Sequence, residues 1–216
     1  MSIRALGAKL KGEIGRHLPA VFLILIFGFY FLFPVAKNRP FDPDNLIALT
    51  LAKSSASDIF TGGLTSYLPA YRPVSKLALY IQYQLSGLGR LEGYFLVNLA
   101  IWILVAIIFY FLVVKLSRSR SAATIAALAL LLDPRALSSL VWIGERQSTL
   151  CILFGLIGMA IAVYGKKIDF KTILWLNFFL LLSILAKEYG LAFLIPVAII
   201  VYLKTKKLRY PLLVFL

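Results

Sequence analysis

Acidic residues are scarce: nine Asp and Glu stand against 23 Lys and Arg in 216 residues, with one cysteine and one histidine. The lone Cys151 excludes an intrachain disulfide and a Cys-based metal site. The lone His17 excludes a His cluster. Internal repeats and low-complexity tracts are also missing. What fills the chain is apolar, with 61% hydrophobic residues and a mean hydropathy of +0.91. Soluble domains use roughly 45–50% apolar residues, so that class is excluded. A net charge of +14 would suggest nucleic acid in a soluble protein. Here the bases sit at the ends of apolar runs, where they set orientation and meet anionic headgroups. Membrane lipids, not nucleic acid, are the expected partner.

The apolar runs organise one membrane domain over 1–216. Residues 1–17 place Ile3, Leu6, Leu10 and Ile14 at helical spacing between bases, an amphipathic surface helix. Spans are expected at 18–36, 93–114, 121–132, 147–165, 172–186 and 189–203. The run 93–114 is long enough for a bilayer core of about 30 Å; 121–132 is short and needs shielding by other helices. Residues 37–91 form a long loop with helices near 44–54 and over 73–86, the latter begun by Pro73 and lying along the interface. The fold class is therefore all-α, a polytopic transmembrane bundle of about six spans with interfacial helices in the first loop. Threading these runs in order puts 14 bases and only Glu13 and Asp169 on one side. The other side holds nine bases and seven acids. Basic loops stay in the cytoplasm, so the N-terminus is expected inside and the acids outside, in a bacterial inner membrane. The closing run Tyr210–Leu216 is too short to cross. The chain is thus either shortened or ends on the interface.

Charges at a membrane boundary are costly, and five groups stand out. Asp42-Pro43-Asp44 is either a turn and helix cap, or a carboxylate pair that acts as a base or holds a divalent metal. Arg72, after Tyr71 and before Pro73, either grips a phosphate or anchors a headgroup. Glu145-Arg146, after Trp142, is an ion-pair plug or a phosphate or sugar contact. Lys187-Glu188, between two runs with almost no loop, either neutralises a lipid phosphate or snorkels as a turn anchor. Asp133-Pro134 suits capping. Together they describe an acid- and base-lined pocket beside lipid.

The order of motifs resembles the GT-C membrane glycosyltransferases, closest to the transmembrane and tetratricopeptide-repeat proteins of O-mannosylation. The matching residues are Asp42 and Asp44, Tyr71-Arg72-Pro73, Gly87-Leu88, Gly93-Tyr94-Phe95-Leu96-Val97-Asn98, Trp142 with Glu145-Arg146, and Ala186-Lys187-Glu188 with Pro196. They fall within 18–203, the family's membrane part. The resemblance implies a polyprenyl-phosphate sugar donor and an acceptor hydroxyl on the outer face. It implies Asp42 or Asp44 as general base, Arg72, Arg146 and Lys187 on the phosphate, and Glu145 and Glu188 as orienting groups, Glu145 for Arg146. The family often has His at the positions of Phe95, Trp102, Asp133 and Ala136, and Glu at Ser138. Those departures, with the missing repeat domain, also suit a non-catalytic subunit packed against other membrane subunits.

Overall fold

The computed structural model describes residues 3–34, 45, 59–60, 71–87, 91–134, 140–207 and 209–214; the side chains of 3–14, 91 and 209 lie outside that description. The described residues form helices and short connections, with no strand among them. The helices are α1 (Ile3–Phe27), α2 (Pro73–Ser86), α3 (Leu91–Ser117), α4 (Arg120–Leu131), α5 (Arg146–Tyr164), α6 (Phe170–Ala186), α7 (Leu194–Thr205) and α8 (Arg209–Leu212). A π-helical turn, Gly28–Leu32, extends α1, and a 3-10 helix, Glu188–Phe193, leads into α7.

Four segments are long and apolar enough to cross a membrane: Gly15–Leu32, Glu92–Ser117, Arg146–Tyr164 and Glu188–Thr205. Arg120–Leu131 and Phe170–Ala186 are apolar but shorter. At 1.5 Å rise per residue, α4 reaches only about 18 Å and α6 about 25 Å. Helix faces turned away from the core are apolar as well: Phe22, Leu104, Ile125, Trp175, Leu181 and Ile199 are all exposed. That apolar surface, with four helices long enough to cross, is compatible with an integral membrane protein.

The helix expected over 73–86 spans Pro73–Ser86, with Pro73 in its first turn. The division expected at 17/18 is absent, because Ile3–Phe27 is one helix with Pro19 inside it. Pro removes one backbone donor, and the helix continues past it. Ser119 and Asp169 cap α4 and α6 by accepting the backbone N–H of Ala122 and Thr172. The Thr172 hydroxyl and backbone N–H hold the Asp169 carboxyl below its ordinary range.

Side-chain contacts fix the order of the helices. His17 Nδ1 lies 2.9 Å from the Tyr110 hydroxyl, so the apolar stretch of α1 that begins at Gly15 starts beside the last third of α3. Trp102 Nε1 donates to the Leu131 carbonyl at 3.2 Å, bringing the end of α4 back up α3. Tyr164 donates to the Phe111 carbonyl at 2.6 Å, so α5 runs parallel to α3. Ser183 on α6 donates to the Cys151 carbonyl on α5 at 2.7 Å, making those two antiparallel. Lys204 Nζ caps the end of α5, donating to the carbonyls of Val163 and Gly165 at 2.6 and 2.9 Å. The bundle therefore has one end rich in bases, where Lys115 also stands 5.7 Å over the Tyr164 ring. The pairs Arg72–Glu188 and Lys187–Glu145 lie at the opposite end.

Candidate functional site

At that second end, the connection 141–146 is pinned from two directions. Asn45 accepts the Ile143 N–H at 2.7 Å and donates to the Val141 carbonyl at 3.5 Å. Asn98 on α3 donates to the Trp142 carbonyl at 3.3 Å. Arg146 Nε then donates to Asn98 Oδ1 at 2.7 Å, and its Nη2 to the Tyr94 carbonyl at 3.0 Å. The guanidinium also lies 5.8 Å over the Tyr94 ring. Two stretches of the motif series, Tyr94 with Asn98 and Trp142 with Arg146, are thus one packed unit. Arg146 is only 1% exposed and faces the helix core, not the charged end, where a phosphate ligand was expected.

Glu145 does not orient Arg146. It pairs instead with Lys187, whose Nζ stands 3.4 Å from Glu145 Oε2. Ser148, one turn further on, accepts from Lys187 Nζ at 2.7 Å and donates to Glu145 Oε2. The ammonium also sits 5.1 Å over the Tyr189 ring. Beside this relay, Arg72 grips Glu188 with both arms of its fork: Nε to Oε2 at 2.9 Å and Nη2 to Oε1 at 2.6 Å. Its third arm, Nη1, donates to Gln147 Oε1 at 2.7 Å. The bidentate geometry fixes orientation as well as charge.

The structure thus brings together Arg72, Glu145, Lys187 and Glu188 and turns Arg146 inward. Asp42 and Asp44 lie outside the described residues. Gln147 and Ser148 complete the two pairs and carry no signal in the sequence; the spacing of Ser148, one helical turn from Glu145, is the only hint. Lys187 and Glu188 point to different partners because α6 stops at Ala186, where Lys187 is extended, and the 3-10 helix starts at Glu188. Gly190 makes that turn possible: a Cβ there would stand 2.5 Å from Ser183 backbone carbon. Among the described residues no three His, Cys, Asp or Glu side chains meet as a metal site. No protein-family model, curated protein or solved structure matches this chain.

Proposed function

We propose that this is a membrane glycosyltransferase-like protein of GT-C type, transferring a sugar from a polyprenyl-phosphate donor to an acceptor hydroxyl at the outer face of a bacterial inner membrane. The observation that carries the reading is the convergence of Arg72, Lys187, Glu145 and Glu188 from three distant stretches onto one end of an apolar bundle. A second observation supports it. An apolar groove of about 440 Å³ runs along α6, lined among others by Leu174, Phe178, Leu181, Ile184, Leu191 and Leu194. Its Ile184 and Leu191 lie three residues from Lys187 and Glu188, so an isoprenoid chain in the groove has its phosphate at the charged end. The size is in the usual range for a ligand site.

In this reading six helices cross, α4 and α6 being shielded by their neighbours, and the N-terminus is cytoplasmic. The acceptor oxygen attacks the anomeric carbon as the carbon–oxygen bond to phosphate breaks. Its proton passes to Asp42 or Asp44, and the bonding pair leaves on the polyprenyl phosphate. Arg72 and Lys187 stabilise that leaving charge, while Glu188 and Glu145 hold them in position. Arg146 acts through the shape of the loop before α5.

The test is sugar transfer in proteoliposomes carrying a polyprenyl-phosphate sugar. The Asp42→Asn/Asp44→Asn pair should lose at least about a hundredfold in rate. Equal rates in parent and double variant would remove the proposed base. A parent that transfers nothing favours the second reading, a non-catalytic subunit of a larger membrane assembly. The cluster of exposed aromatics on the π turn, Phe29, Phe31 and a 74% exposed Tyr30, supports that alternative. Stoichiometric co-migration with a large complex in mild detergent distinguishes it.

A further inference from the structure

Among the described residues, three have a positive φ: Gly87 at 59°, Arg118 at 58° and Lys206 at 55°. Glycine takes that conformation freely, whereas a side chain strains it. The two strained positions are built alike. Arg118 follows the last residue of α3, and Lys206 follows the last residue of α7. Each backbone N–H closes its helix, on the Val114 carbonyl at 2.9 Å and on the Tyr202 carbonyl at 2.7 Å. A hydroxyl residue precedes each base. Ser117 Oγ donates to the Val113 carbonyl at 2.7 Å and accepts the Ser119 N–H at 3.2 Å. Thr205 Oγ1 donates to the Val201 carbonyl at 2.9 Å and accepts the Lys207 N–H at 3.4 Å. Backbone and hydroxyl groups therefore make both turns, and the basic side chain has no part in either. Glycine would make them with less strain. The chain nevertheless places a cation at both.

Both turns stand at the basic end of the bundle. Arg118 is three residues from Lys115, whose Nζ lies over the Tyr164 ring. Lys206 is two residues from Lys204, which bonds the carbonyls of Val163 and Gly165 on either side of Tyr164. The end of α5 thus gathers the two turns. Acids are too few there to neutralise them: the loops threaded to this end carry 14 bases against Glu13 and Asp169. Asp169 is already engaged, accepting the Thr172 N–H and hydroxyl at the start of α6. Excess positive charge calls for an anion, and strain retained at a base points to a use for that base. Exposed apolar side chains adjoin the cations: Leu116 lies two residues before Arg118, and Leu203 three before Lys206. Bases above exposed hydrocarbon match a lipid, whose headgroup meets the cations while its acyl chains follow α3 and α7. A free anion would need no such apolar flank.

We infer that Arg118 and Lys206 bind the phosphodiester of an anionic phospholipid at the basic end. The site is separate from the charged end and from sugar transfer, so the proposed function stands or falls independently of it. The full chain is reconstituted with equal amounts of phosphatidylglycerol and phosphatidylcholine, extracted in mild neutral detergent, and its retained lipids are measured by mass spectrometry. The parent should retain phosphatidylglycerol over phosphatidylcholine by at least about tenfold. Arg118→Gly/Lys206→Gly should lose that preference by about tenfold or more. Its unfolding temperature in the neutral detergent should equal or exceed the parent's, because the strain has gone. Arg118→Lys/Lys206→Arg should keep most of the preference. Lys167→Gln/Lys171→Gln removes two bases outside the turns and should stay within about twofold of the parent. An equal loss in that control would assign the preference to a diffuse field and overturn the site. So would a glycine variant with the parent's preference, or a parent that retains both lipids alike. Displacement of phosphatidylglycerol by inorganic phosphate at matched concentration would make the occupant a free anion and overturn the lipid.

Discussion

Arg146 begins α5 at the charged end of the bundle, yet its guanidinium turns into the helices. Neighbouring residues on a helix do not face each other, whereas residues three and four apart do. Glu145 and Ser148 therefore share a face and meet Lys187, while Arg146 is directed to Asn98 and Tyr94. The sequence shows that charges stand at 145 and 146; it does not show that each has a separate partner, because Asn98 lies 48 residues away in the chain. The same limit hides Gln147 and Ser148, which are ordinary polar residues until α2 and α6 bring Arg72 and Lys187 to them. Arg146→Met should leave Asn98 Oδ1 without its charged donor and cost about 1.5–3 kcal/mol. Asn98→Leu combined with Arg146→Met should cost less than the two single changes added together, since the partners are removed as a unit. Thermal unfolding of the four proteins in one detergent measures the coupling. Strict additivity would mean that the Asn98–Arg146 contact does not stabilise the fold.

Among the helices, those with long uninterrupted apolar runs or a clear start were the legible ones. Pro73 marks the start of α2, and the uncharged run 93–114 lies inside Leu91–Ser117. The 3-10 helix Glu188–Phe193 had no such signal, because its geometry is set by packing. Phe193 lies over Gly155 of α5, where a Cβ would come within 2.3 Å of the ring. Close approach at a glycine is how membrane helices gain contact when no hydrophobic force separates protein from lipid. Gly155→Ala should therefore displace Phe193 and destabilise the chain by about 1–3 kcal/mol, the usual cost of overpacking. Phe193→Leu in the same chain should recover part of the loss by vacating the space. Because Phe193 closes the 3-10 helix that carries Glu188, Gly155→Ala should also loosen the Arg72–Glu188 pair. A fall in unfolding temperature that Phe193→Leu does not relieve would place the strain elsewhere.

Across the whole molecule, the charge pattern along the chain becomes a polarity in space. The contacts of His17 with Tyr110, Tyr164 with Phe111 and Lys204 with Gly165 bring the C-terminal parts of α3, α5 and α7 and the middle of α1 to one end, with Lys115 and Lys204 among them. Arg72, Glu145, Lys187 and Glu188 meet at the other. This separation could be anticipated from alternating basic and acidic loops; the pairing inside the acidic end could not, since it depends on the turn at Ala186. Lys and Arg near span ends hold a loop in the cytoplasm, whereas Asp and Glu contribute little to orientation. The basic end should then be cytoplasmic. Single cysteines placed at Lys166 and at Glu188, in a Cys151→Ser background, test it with a membrane-impermeant thiol reagent on intact cells. Glu188→Cys should label from outside and Lys166→Cys only after the membrane is opened. Labelling of Lys166→Cys in intact cells would reverse the orientation and move the charged end to the cytoplasm, where an exoplasmic acceptor cannot reach it.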